Sequence, residues 1–377
     1  MHMPKPRAEK LARSRTLSDL LRAEIERDGW MSFARYMELA LYAPGLGYYN
    51  AQDFERDFVT APELSPLFAR ALARQVAQVL DEFGGDLLEF GAGSGRLALD
   101  LMLELESVRK LPSRYCIIEV SSALAARQKE LIERAAPALG SRFEWLSSLP
   151  ARFTGLILAN EVLDAMPVHL VAWRRDGIFE REVALDCGRF IWREKPLVQS
   201  TLFEAASQLK IEGDYVSEIS LAVRHFVSIL GGILERGALL FSDYGFGVSE
   251  YYHPQRSTGT LMCHYRNHSH ADPFYLPGLQ DITSHVDFSA VARAGASSGL
   301  ELLGYTSQAN FLINCGITEL LAATPAENAA QYLPLAAGVQ KLLSPSEMGE
   351  LFKVIALGRN VDAPLIGFGQ GDKSRLL

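Results

Sequence analysis

The sequence predicts an α/β protein built on a doubly wound sheet, and three observations predict it. Short apolar strands alternate with helical segments between residues 86 and 160, a glycine-rich turn joins the first strand to its helix, and the strands end in carboxylates. Strand–helix alternation produces βαβ units and a parallel sheet, whose ligands sit at the carboxyl ends of the strands.

Ahead of the alternation, residues 17–42 carry apolar side chains at helical spacing, with Gly29 dividing two helices, and residues 43–50 form a Pro/Gly turn. Residues 60–83 read as a helix, opened by Thr60 and Glu63 at capping-box spacing or by Ser65 before Pro66. Strands follow at 86–90, 115–120, 143–146 and 155–160, with helices at 95–106 and 122–135. Residues 168–198 alternate apolar and polar side chains around Asp176-Gly177 and Cys187-Gly188, the mark of inserted antiparallel hairpins. A helix is expected near 216–235, a strand at 237–246, a long irregular loop over 247–286, a helix at 288–299, and strands at 300–307 and 351–359.

The 377 residues are 48% hydrophobic and 22% charged, a composition that folds around a sizeable core. A net charge of −8 argues against a sequence-independent grip on nucleic-acid phosphates. Cys116, Cys187, Cys263 and Cys315 form no CxxC pair and read as reduced thiols. No segment has the length and apolarity of a membrane span, and a cytoplasmic location is expected. Lys5, Arg7, Lys10, Arg13 and Arg15 against Glu9 suggest a short disordered basic tail over 1–16. Cys263, His264, His268 and His270 cluster without any zinc-ligand spacing, so no metal is expected.

The turn "LLEFGAGSGRLALDL" (87–101) lacks the third glycine of the dinucleotide fingerprint, whose place Arg96 occupies. Its Glu89, Gly91, Gly93 and Gly95 instead resemble the first motif of S-adenosylmethionine-dependent methyltransferases. The backbone of Gly91, Ala92, Gly93, Ser94 and Gly95 is then expected to cradle the cofactor, with Glu89 near its ammonium group. Glu119, followed by Val120 at the end of the next strand, is placed to accept two ribose hydroxyls.

The motifs "YMELALYAPGLGYY", "DFVTAPELSPLFARAL", "NEVLDAMPVH", "FSDYGF", "GTL", "DITSHVDFS" and "FKVIALGR" occur in the order of the MidA-like family, so the chain resembles that family over residues 17–360. The resemblance implies a Rossmann-like doubly wound methyltransferase sheet with N-terminal helices and an inserted β-hairpin/helical subdomain. The organisation expected is a tail and helical cap (1–60), a first part of the Rossmann-like domain (61–167), the insert (168–235), the remainder with the 247–286 loop (236–360), and a C-terminal tail (361–377). For the family's mitochondrial members, assembly factors of respiratory complex I, it implies methylation of an arginine on a complex I subunit. It also implies that the loop at Thr60 closes over the cofactor.

Asn160, Glu161 and Asp164 end an apolar strand and are expected beside that cofactor. A guanidinium is planar, charged and paired bidentately by carboxylates, so Glu161 and Asp164 are the candidate arginine clamp. The plainer roles are a turn cap for Asp164 and a cofactor-amine or arginine partner for Glu161. His285 has the chemistry of a proton acceptor. Asp243, Tyr244 and Asp287 are candidates for the substrate side, Asp287 also for a helix N-cap. Asn-Glu-Val-Leu replaces the Asn-Pro-Pro-aromatic run that accompanies amino-methylation of DNA bases. The expected function is methyl transfer to a protein arginine, with a small-molecule acceptor or a non-catalytic, cofactor-binding assembly factor as alternatives.

Overall fold

The computed structural model describes residues 3–51, 60–325 and 327–377, so Asp57, Phe58 and Val59, which open the DFVTAPEL motif, lie outside the described residues. The chain forms two compact units. One comprises 59–163, 226–247 and 286–377, the other 1–58, 164–225 and 248–285.

The first unit is built on an 8-stranded sheet. Its strands are β1 (Asp86–Phe90), β2 (Tyr115–Ile118), β3 (Phe143–Trp145), β4 (Phe153–Asn160), β5 (Leu234–Phe246), β6 (Val286–Asp287), β7 (Glu301–Ser307) and β8 (Phe352–Arg359). The order is β7-β8-β5-β4-β1-β2-β3, with β6 beside the end of β5. The strands β5, β4, β1, β2 and β3 are parallel, while β8 runs antiparallel to both β5 and β7. The central strands are buried along nearly their whole length, which is why they read as unbroken apolar runs. Beyond β8 the chain folds back, with Asp372 accepting the Tyr305 N–H (3.0 Å) and Gly371 the Thr306 hydroxyl (2.7 Å), so 361–377 is tied down where a plain tail is expected.

Helix Pro66–Phe83 packs on this sheet, burying Leu72, Val76 and Val79 along one stripe. Its cap is Ser65, whose hydroxyl accepts the Leu67 N–H at 3.2 Å. Thr60 instead precedes a separate single turn, Ala61–Leu64, and makes no capping side-chain bond there. Of the two openings legible in the sequence, Ser65 before Pro66 caps the long helix.

The second unit contains the helices Ala8–Asp28 and Phe33–Tyr42. The first begins early enough to take in Lys10, Arg13 and Arg15, where the sequence predicts a disordered tail. The 168–198 hairpins form as expected, as strands His169–Arg174, Gly177–Asp186 and Arg189–Pro196. Two features differ from expectation. Residues Tyr215–Ile219 are a fourth strand of that sheet, and the helix starts only at Leu221. The 247–286 segment holds a three-stranded sheet of Met262–Tyr265, His268–His270 and Asp281–Thr283. Its strands are too short to show a period, and a buried carboxylate supplies the order. Glu218 Oε1 accepts the N–H groups of Thr260 (2.9 Å) and Leu261 (3.0 Å), and Oε2 accepts the hydroxyls of Thr260 and Tyr251.

Ser65→Ala removes the cap of the helix that covers the sheet and is expected to cost about 1 kcal/mol in chemical denaturation, whereas Thr60→Ala carries no capping loss.

Candidate cofactor and active site

Strand order reverses between β1 and β4, and doubly wound sheets bind ligands in the crevice outside such strand ends. From β1 the chain turns through Gly91, Ala92, Gly93, Ser94 and Gly95 into the helix Arg96–Ser107. Gly91, Gly93 and Gly95 have φ of +62°, +55° and +80°, a region that strains any L side chain. Space is short as well: a Cβ would stand 3.1 Å from Val162 Cγ2 at Gly91 and 3.2 Å from Gln128 Cγ at Gly95. The turn is therefore a bare-backbone cradle in front of the positive end of a helix dipole.

Glu119 lies just past β2, next to Val120, which is 66% exposed at the strand mouth. Its Oε1 accepts the Ser121 N–H (3.0 Å) and its Oε2 accepts from Gln128 Nε2 (2.9 Å). The same Gln128 nitrogen donates to the Gly93 carbonyl (3.0 Å), and Gln128 Oε1 accepts from Trp145 Nε1 (2.9 Å). Gln128 was not singled out in the sequence. It sits in the apolar stripe of its helix, where spacing alone reads it as core.

Glu89 lies near the end of β1. It is only 2% exposed and receives the Tyr115 hydroxyl at 2.9 Å. Burial pushes its carboxyl up to about 8, against the pull of that hydrogen bond, so it is largely protonated at neutral pH.

At the end of β4, Glu161 has a left-handed backbone (φ +55°), uncommon for a residue with a side chain. Its N–H donates to the Ser242 carbonyl (2.9 Å), and its Oε1 accepts the Ala61 N–H (3.1 Å) and Asn160 Nδ2 (3.1 Å). Glu161 thus joins the strand end to the first residue after Thr60. Asp243 holds this turn from the neighbouring strand. It is fully buried; Oδ2 accepts the N–H groups of Val162 (3.1 Å) and Leu163 (2.9 Å), and Oδ1 that of Tyr244 (2.9 Å). Asp243, expected on the substrate side, holds the backbone of this turn. Tyr244 meets Phe352 edge-on at 5.4 Å.

Asp287 is an N-cap: its Oδ1 accepts the Ala290 N–H (3.0 Å) at the start of helix Phe288–Ser297. Asp164 and His285 fall in the other unit. There, buried Asp164 accepts the Ser284 N–H through its carbonyl (3.0 Å), and the His285 N–H donates to Thr260 Oγ1 (3.0 Å). Among the described residues, no group of three His, Cys, Asp or Glu side chains is arranged to hold a metal ion.

A glycine cradle, a helix N-terminus, an acid at the end of β2 and an exposed apolar neighbour fit an adenosine cofactor carrying an amino-acid tail. With the sheet order, they define the class of S-adenosylmethionine-dependent methyltransferases. Comparison with known proteins agrees. Residues 71–306 match the model of a family of S-adenosyl-L-methionine-dependent methyltransferases, and the chain belongs to that family. A superfamily member from Burkholderia thailandensis, solved bound to S-adenosyl-homocysteine, is 48% identical with a TM-score of 0.96 over 100% of both chains. The mitochondrial protein arginine methyltransferase NDUFAF7 homologue of Drosophila melanogaster is 28% identical over 98% of this chain and 93% of its own. Its Mus musculus counterpart is 29% identical over 89% and 82%. The protein is an S-adenosylmethionine-dependent methyltransferase.

Glu89 yields a pH test. The folded state keeps its proton up to about 8, whereas an unperturbed carboxyl loses it near 4.5. Between those values the folded state binds more protons, so stability falls as pH rises and levels off above about 8. Melting temperatures of wild type and Glu89→Gln are expected to diverge in the variant's favour from about pH 5 to about pH 8, with no further widening beyond. A pH-independent difference would contradict the assignment.

Proposed function

We propose that this methyltransferase acts on an arginine side chain of a partner protein, and that Glu161 holds the guanidinium. The observation that carries this reading is the position of Glu161: an acid at the switch point of the sheet, in a strained backbone that the fold maintains with Asp243. The arginine methyltransferases among its relatives support the acceptor.

The roles follow from position and chemistry. The backbone of Gly91, Ala92, Gly93, Ser94 and Gly95 receives the amino-acid tail of the cofactor. Glu119 takes the ribose diol, Val120 covers one face of the adenine, and Asn160 braces Glu161. Bound S-adenosylmethionine supplies an electrophilic methyl group on a sulfonium sulfur. Glu161 orients the guanidinium so that one nitrogen faces forward, and takes the proton that this nitrogen sheds on substitution. Orientation and exclusion of water account for most of the acceleration, because the reacting groups are already a strong electrophile and a positioned nucleophile.

Glu161→Gln keeps an oxygen for Ala61 and Asn160 while removing the charge. With tritiated S-adenosylmethionine and lysate from cells lacking the protein, wild type is expected to place label in a discrete protein, recovered after acid hydrolysis as methylarginine. The variant should lower kcat/KM by about a hundredfold while keeping its affinity for S-adenosyl-homocysteine within a few-fold. Label found only in small molecules, or in another amino acid, would overturn the arginine reading.

A further inference from the structure

We propose that Gln128 is the positioning residue of the cofactor site: one side-chain amide locks the Glu119 carboxylate and the glycine turn into a single rigid receptor for the nucleoside. The proposal rests on the reading of Glu119 as the acceptor for the ribose diol.

Helix Ser122–Ala135 buries only Leu124, Gln128 and Ile132, an i, i+4, i+8 stripe against the sheet. A leucine at the middle position would satisfy packing, yet the residue is a glutamine at 0% exposure. A buried amide with an unmet donor or acceptor costs free energy, so each of its polar atoms needs a partner. All are provided for. Nε2 forks between Glu119 Oε2 (2.9 Å) and the Gly93 carbonyl (3.0 Å), and Oε1 takes the indole N–H of Trp145 (2.9 Å). Trp145 is in turn braced by Lys129 Nζ, 5.1 Å above its ring.

Each bond of the fork has a consequence at the site. A carboxylate gripped at both oxygens, by Ser121 N–H and by Gln128, has a fixed plane, which is what a vicinal diol needs to bind it with two parallel hydrogen bonds. In a trans peptide the carbonyl and the following N–H point in opposite directions. Pulling the Gly93 carbonyl toward Gln128 therefore turns the Ser94 N–H away from the helix. Gly95 makes room for the arrangement: a Cβ there would lie 3.3 Å from Gln128 Cα and 3.2 Å from its Cγ. The third glycine of the turn and the buried amide are thus built for each other.

The test is isothermal titration of wild type, Gln128→Leu and Glu119→Ala with S-adenosyl-homocysteine and with its 2′,3′-dideoxyribose counterpart. Wild type is expected to prefer the diol. Gln128→Leu should lose roughly tenfold in affinity for the diol ligand and much less for the dideoxy ligand, because only the former uses the oriented carboxylate. Equal losses on both ligands would reduce Gln128 to packing and overturn the proposal, as would no loss on either. If Glu119→Ala leaves the diol preference intact, the reading of Glu119 itself falls and the proposal with it. Gln128→Glu serves as the second variant and should also read out in pH. Two facing carboxylates must share a proton, so its affinity for the diol ligand, relative to wild type at the same pH, should recover as pH falls from about 8 to about 5.5. A flat ratio would contradict the bond between the two side chains.

Discussion

The mouth of the sheet depends on one buried carboxylate. Asp243 ends β5, and its two oxygens receive the backbone N–H groups of Val162, Leu163 and Tyr244. The first two of those donors point inward because the chain leaving β4 turns sharply at Glu161, whose left-handed backbone is uncommon for a residue with a side chain. Burying a charge without such partners costs several kcal/mol, so the acid and the turn stabilise each other. The turn in turn supplies the side of the crevice facing the glycine cradle: Val162 packs where a Cβ of Gly91 would go, and Glu161 reaches the N–H of Ala61.

Carboxylates of one chemistry take different roles around this crevice because their surroundings differ. Glu89 is desolvated beside Tyr115, which raises its carboxyl to about 8, and it packs as part of the core. Asp243 accepts three backbone N–H groups and serves as a clasp. Glu119 is gripped at both oxygens yet remains partly exposed. Glu161 lies at the strand end, its Oε1 held by the Ala61 N–H and Asn160 Nδ2. Burial and hydrogen-bond count, rather than residue type, sort acids into structural and chemical ones.

Much of this was legible in the sequence. The strand–helix alternation, the 168–198 hairpins and the glycine turn carry periodicities or compositions that survive any tertiary context. Other features depend on partners remote in sequence, and no local pattern reports them. Gln128 looks like core because it occupies a core stripe, and only the positions of Glu119, Gly93 and Trp145 disclose its amide's purpose. The clasp role of Asp243 is hidden because two of its donors, Val162 and Leu163, lie some 80 residues earlier. Tyr215–Ile219 was absorbed into a helical reading, although strand His169–Arg174 offers it a ladder.

The central claim is that the Asp243 clasp shapes the strand ends into the cofactor site. Titration of Asp243→Asn with S-adenosyl-homocysteine tests it most directly. An asparagine offers one oxygen to three N–H donors and turns its own NH₂ toward the rest. The account predicts a variant that still melts cooperatively but binds at least roughly tenfold more weakly than wild type. A folded variant with unchanged affinity would contradict it, since the site would then not depend on the turn that Asp243 holds.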